Sequence, residues 1–213
     1  MAEVTYDVLV IGGLKANKFW GEGRPVRSEH STSILVRSGK RRLIVDPGWP
    51  ADVMEAALYY RTGLKTKDVT DVFLTHFDRA HREGIEAFAK AKWWMSEEET
   101  GFADAELPPE DEGRKVLARI MPVPERLAAG VDVFPTHGHT PGHCSLLVYS
   151  ALENLIITGD AVPTREHFER GELGDSAYDL PGARASLQDI MEIADILVPG
   201  HDNIFLRRGM GGM

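Results

Sequence analysis

The chain has 213 residues, 43% hydrophobic and 27% charged, a normal globular balance whose length suits one large domain with a real core. Its net charge of −9 disfavours a nonspecific grip on nucleic acid or anionic lipid, and its single cysteine, Cys144, excludes an intrachain disulfide. No apolar run nears the roughly 20 residues of a membrane span, and Met1-Ala2-Glu3-Val4 lacks a signal peptide's charged-then-apolar pattern, so the expectation is a cytoplasmic protein that binds neither membrane nor nucleic acid.

Residues 6–11 form an apolar run closed by Gly12-Gly13, which predicts a strand. Residues 14–29 are polar and carry glycines, the pattern of a loop beside a binding site. Residues 33–36 and 42–45 predict a hairpin turning at Ser38-Gly39, its second strand stopped by Asp46-Pro47-Gly48. Pro50 opens a helix in which Val53, Ala56, Ala57 and Tyr60 recur at helical spacing. Residues 69–75 predict a strand running into Thr75-His76-Phe77-Asp78-Arg79-Ala80-His81, with a helix after it marked by Ile85, Phe88 and Ala89.

Residues 92–95 predict a short strand, and the acidic segment 97–114, with Pro108-Pro109, a surface excursion. Residues 119–123 and 131–134 predict strands of a second sheet. Then come Thr136-His137-Gly138-His139-Thr140-Pro141-Gly142-His143, a strand at 145–149, and another at 154–158 ending in Gly159-Asp160. Residues 162–179 are polar and irregular, 183–194 helical, and 196–198 a last strand ending in Pro199-Gly200-His201-Asp202. The expected boundaries are one domain over 1–208 and a flexible tail over 209–213. Strands and helices in this order suggest α/β layers.

Asp46, His76 to His81, His139, Asp160 and His201 all stand just past apolar runs, and strand ends are where an α/β scaffold gathers its chemistry. Histidines and carboxylates together in that setting point to a metal. The motifs resemble, in order, those of the metallo-β-lactamase superfamily of hydrolases. Asp46 matches its first motif, His76 to His81 part of its His-x-His-x-Asp-His motif, and Gly138 to His143 its Gly-His-Thr-Pro-Gly-His element. Thr158-Gly159-Asp160 and Pro199-Gly200-His201 match the last two. The resemblance implies a four-layer αββα sandwich, two mixed β-sheets flanked by helices, with one or two divalent metal ions at one edge.

Two positions depart from the pattern: Asp78 replaces the motif's second histidine and Ala80 its aspartate. Carried over residue by residue, one metal would be held by His76, Asp78, His139 and Asp160, and the other by His81, His201 and Asp160. The first set is harder and more anionic than three histidines, which moves preference from zinc toward iron or manganese, and zinc remains the first expectation. The second has three protein ligands at most, so single occupancy is an expectation as well.

Asp46 and His143 are expected behind the ligands, orienting them. His167, Tyr178 and Arg79 are candidate substrate contacts. His137 is expected on the surface, and Cys144 as a small buried hydrophobe. The implied function is hydrolysis of a small ester, lactone, thioester or amide through a metal-bound hydroxide, with Asp78 and Asp160 at its centre. Residues 138–148 resemble the acyl-homoserine lactonase branch. The alternatives are mononuclear non-haem iron chemistry on oxygen or sulfur, as in the family's persulfide dioxygenases, and a non-catalytic metal-binding member.

Overall fold

In the computed structural model, which describes residues 4–149, 153–174 and 176–207, twelve strands assemble into two six-stranded sheets. Sheet one carries β1 (Val4–Val10), β2 (Ser33–Ser38), β3 (Arg41–Val45), β4 (Asp71–Phe73), β5 (Lys92–Met95) and β6 (Ile120–Pro122), side by side in chain order. Its β1–β2 and β2–β3 pairings are antiparallel and the other three parallel. Sheet two carries β7 (Arg126–Ala128), β8 (Val131–Pro135), β9 (Cys144–Tyr149), β10 (Asn154–Gly159), β11 (Ile196–Pro199) and β12 (Phe205–Leu206), of which β10 and β11 pair parallel.

Alternation along each strand sorts the apolar side chains into layers. Ile34, Val36, Leu43, Val45 and Phe73 meet Leu146, Val148, Leu155, Ile157, Ile196 and Val198 between the sheets. The residues between them point the other way. Leu35, Ile44, Val72 and Trp93 pack under α1 (Ala51–Thr62) through Met54 and Leu58. Leu147, Ile156 and Leu197 pack under α6 (Leu180–Ile193) through Leu187 and Ile190. Strands covered on both faces read as unbroken apolar runs, which is why they were visible in the sequence. The layering is the expected αββα sandwich.

Four shorter α-helices stand among the described residues: α2 (Arg79–Arg82), α3 (Glu97–Glu106), α4 (Gly113–Leu117) and α5 (Arg165–Arg170). Three expectations are corrected. Residues 120–122 close sheet one rather than sheet two, because β6 pairs with β5. The acidic segment 97–114 is two helices that pack on the sheet, with Glu99 and Ala103 buried. The segment 162–179 contains α5, which buries His167 and Phe168. The tail at 209–213 lies outside the described residues.

Candidate metal centre

Strand register brings the polar residues together. Val45 pairs with Phe73 across β3 and β4, which sets Asp46 beside Thr75. Gly159 pairs with Pro199 across β10 and β11, which sets Asp160 beside Gly200 and His201. His139 enters from the connection between β8 and β9. Close approach then demands glycine: a Cβ on Gly200 would stand 2.2 Å from Asp160 Oδ1. Gly159 has φ +48°, and a Cβ there would meet Thr75 Oγ1 at 2.6 Å and His143 Nε2 at 2.9 Å.

Asp46 holds the left-handed conformation, φ 46°, unusual for a residue with a side chain. Its buried carboxylate is anchored on both oxygens. Oδ1 accepts the Thr75 backbone N–H at 2.8 Å, and Oδ2 accepts the Thr75 hydroxyl at 2.8 Å and His81 Nδ1–H at 2.9 Å. A hydroxyl has one proton to give, so Thr75 Oγ1, already donating to Asp46, accepts from His76 Nδ1 at 3.0 Å. His201 Nδ1 lies 2.9 Å from the His30 carbonyl, which can only accept. In His76, His81 and His201 alike, Nδ1–H is spent on the protein and Nε2 is left as the metal-facing atom.

Those atoms converge without satisfying one another. His76 Nε2 and Asp160 Oδ1 are buried with no hydrogen-bond partner. Asp160 Oδ1 does lie 3.2 Å from His81 Nε2 and 3.1 Å from His201 Nε2, close but without the alignment of a hydrogen bond. The two imidazole nitrogens are themselves 3.3 Å apart. Orphaned buried acceptors are costly, and bound divalent cations would satisfy them. His76, His139 and Asp160 form one group able to hold a metal, and His81, Asp160 and His201 another, sharing Asp160. Donor types and converging atoms fit one or two divalent ions.

Asp78 stands at the edge of the first group, its Oδ2 3.6 Å from His76 Nε2 and 3.9 Å from His139 Nε2. Hydrogen bonding toward His139 and His76 holds its carboxyl well below the usual range. Burial drives the Asp160 carboxyl upward, but His201 and His81 outweigh it and hold it well below. Burial likewise opposes charge on His81 and His139, yet the facing carboxylates raise both imidazoles. His143 is fully enclosed, and burial first, then neighbouring imidazoles, push it well below its ordinary value. Its neutral Nε2 accepts the Asp160 backbone N–H at 3.2 Å, and its Nδ1 lies 2.9 Å from the Thr136 hydroxyl. His143 therefore steadies the backbone that carries the shared carboxylate.

A cavity of about 350 Å³ opens over this cluster. Asp78, His81, His139, Asp160 and His201 lie along it, and Ala80 presents only a methyl group. Leu14, Lys15 and Lys18, from the predicted loop, line it, and so does His167. Tyr178 and Arg79 are not brought to it. The Tyr178 ring is exposed and packs edge-on against Phe102, while its backbone N–H binds the His139 carbonyl. Arg79 is turned to solvent and pairs with Glu83 one helical turn on. His137 is exposed and Cys144 buried.

One residue was missed. Glu99, read as surface charge, is 1% exposed. Its Oε1 accepts the Phe77 N–H at 3.0 Å, between His76 and Asp78, and its Oε2 accepts the Thr140 hydroxyl at 2.6 Å, next to His139. One carboxylate thus ties together two ligand-bearing loops. The only signal for it in the sequence was Ser96 three residues earlier, an N-cap that fixes the helix start.

The sequence profile of the metallo-beta-lactamase superfamily matches residues 27–201. The chain belongs to this superfamily. Metallo-beta-lactamase domain-containing protein 1 of Xenopus laevis is 28% identical over 178 residues, 79% of this chain and 70% of that protein. An N-acyl homoserine lactonase of Bacillus cereus is 28% identical over 151 residues, 67% of this chain and 59% of the lactonase. Among solved structures, that of a Bacillus thuringiensis AiiA variant with N-decanoyl-L-homoserine at its active site superposes with a TM-score of 0.70 at 19% identity. The match covers 95% of this chain and 94% of that one. Among the described residues, no helix is long and apolar enough to cross a membrane.

Proposed function

We propose that this chain is a metal-dependent hydrolase of a small ester, lactone, thioester or amide, acting in the cytoplasm. The observation that carries this reading is that two buried acceptors without partners, His76 Nε2 and Asp160 Oδ1, belong to residues of the two groups able to hold a metal, beside an open cavity. A divalent ion held there supplies Lewis acidity and a water acidic enough to ionise near neutral pH. In this reading His76, His139 and Asp160 hold the first ion with Asp78 as a fourth donor, and zinc is the metal expected first. His81, His201 and Asp160 hold a second more weakly, because Ala80 offers no carboxylate. Asp46 and His143 keep His81 and Asp160 in place, and Asp160 spans both sites. The relative named as an N-acyl homoserine lactonase makes a lactone or acyl ester the substrate class to try first. The single buried thiol suits a reducing compartment.

A second reading draws on Asp78, whose oxygen faces His76 and His139 where the family motif has a third imidazole. Two histidines with carboxylates suit iron or manganese, and iron there would support chemistry on oxygen or sulfur. One experiment separates the readings. Protein purified without added metal is analysed for metals, then assayed for lactone and ester hydrolysis and for oxygen uptake. Zinc with hydrolysis that disappears in both His139→Ala and Asp160→Ala, each still folded, is the expected result. Unchanged turnover in either variant removes the site assignment, and iron with oxygen uptake selects the second reading.

A further inference from the structure

Helix α1 buries one side and leaves the other bare. Met54 and Leu58 are fully enclosed against sheet one. At about 3.6 residues per turn the opposite stripe is Asp52, Glu55, Ala56, Tyr59 and Gly63, with Tyr60 on its flank. Tyr60 is 84% exposed and Tyr59 52%, and their rings meet edge-on at 5.7 Å between centroids. Aromatic rings standing in water on an ordered helix are the side chains that interfaces favour. The small side chain of Ala56 leaves a groove of about 420 Å³ beside them, bounded by Asp52, Glu55 and Lys65.

Charge is sorted along the same helix. Asp52 and Glu55 stand in its amino-terminal half, Arg61 and Lys65 at and just past its carboxyl end. All four are exposed, and among the described residues none makes an ion pair within the chain. The helix dipole suits this order of charges but does not account for the rings between them. A face with an acidic and a basic half is complementary to itself when turned end for end. A two-fold axis between Ala56 and Tyr59 sets two such helices antiparallel. Ala56 then faces the partner's Tyr59, small against large. Glu55 faces the partner's Tyr60, whose hydroxyl can donate to it, and Asp52 faces the partner's Lys65. Parallel helices would set Asp52 on the partner's Asp52, so the charges choose the direction as well as the occupant.

We propose that the outer face of α1 is a homodimer interface, occupied by the antiparallel α1 of a second copy of this chain with each Tyr59 seated against the other copy's Ala56. A contact confined to one helix of twelve residues is small beside a standard interface, so the expected Kd is on the order of 10 μM. None of these residues lines the cavity over the metal groups, and substitutions among them test association alone.

Sedimentation velocity of the full chain, from about 1 to about 200 μM, reads this directly. Wild type should pass from monomer to dimer across that range. Ala56→Arg, which fills the groove with a charged side chain, should weaken association at least about tenfold. Charge reversal gives a test that a loss of folding cannot imitate. Asp52→Lys with Glu55→Lys sets like charges across the axis, and so does Arg61→Glu with Lys65→Glu in a second protein. Each double variant should sediment as a monomer by itself, and an equimolar mixture of the two should dimerise, because every facing pair is again opposite in sign. A wild type that stays monomeric throughout overturns the proposal and leaves the face to a different protein. A folded Ala56→Arg that dimerises as wild type does moves the interface off α1. Double variants that fail to associate when mixed overturn the antiparallel pairing.

Discussion

At Ala80 the side chain is a single methyl group, which has no donor atom to offer a metal. It lines the cavity beside His81, and its backbone carbonyl is already committed to the Ser31 N–H at 2.9 Å. The second metal group therefore has three protein donors, His81, Asp160 and His201. An Ala80→Asp protein should bind its second zinc equivalent roughly tenfold tighter or more, since ligand-set changes commonly shift affinity by that order. Competition against a chromophoric chelator reads this directly, and an unchanged second affinity would mean that position 80 does not face the ion. Cys144 shows the opposite kind of residue, chemically capable and silenced. Burial pushes its thiol up from the ordinary 9.0 to about 11. An acid whose folded pKa is raised favours the protonated form, so its stabilising contribution is complete below 9 and declines as pH rises toward 11. Native protein at pH 8 should leave a disulfide reagent nearly uncoloured, whereas urea-unfolded protein should react with one equivalent. Rapid native labelling would contradict the burial.

At the scale of elements, α3 is a clamp on the site. Ser96 caps it and also donates to the Gly142 carbonyl at 2.6 Å, and Glu99 reaches both ligand loops from its first turn. Glu99→Ala would strand the Phe77 N–H and the Thr140 hydroxyl, each a loss of about 1–3 kcal/mol when buried without a partner. We expect a fall in urea midpoint together with weaker zinc binding, and a smaller effect in Glu99→Gln, whose amide oxygen still accepts from Phe77. A destabilised Glu99→Ala that bound zinc as wild type does would confine the residue to the fold. This helix also marks where sequence reasoning stops. The strand-end residues Asp46, His76, His139, Asp160 and His201 were legible because doubly buried strands are continuous apolar runs and each run ends in a polar turn. Glu99 was not, because four of the first eight residues of α3 are acidic, and only the helix phase on the sheet picks the one that turns inward. The same missing phase made Arg79 a candidate contact, although α2 turns its neighbour His81 inward and Arg79 out. His167 looked like loop polarity until α5 placed it in the wall.

For the molecule as a whole, the cluster is a joint between two sheets. Asp46, His76 and His81 follow strands of sheet one, while His139, Asp160 and His201 belong to sheet two. The first metal group joins His76 from one sheet to His139 and Asp160 from the other, and the second joins His81 to Asp160 and His201. A bound ion is therefore a crosslink between halves of the sandwich that unfolding must break. Binding to the native state alone adds roughly 2.7 kcal/mol at a free metal concentration a hundred times Kd. At this chain length each kcal/mol moves Tm by roughly 2–4 °C, so chelation should lower Tm by about 5–10 °C. The far-ultraviolet spectrum below the transition should not change, because both hydrophobic layers and the inter-sheet core persist without the ion. Zinc should restore Tm in wild type and fail to do so in Asp160→Ala, where both groups lose their shared carboxylate. A Tm indifferent to chelator and to zinc would show that the cluster does not join the sheets through a metal, whatever its hydrogen-bond geometry suggests.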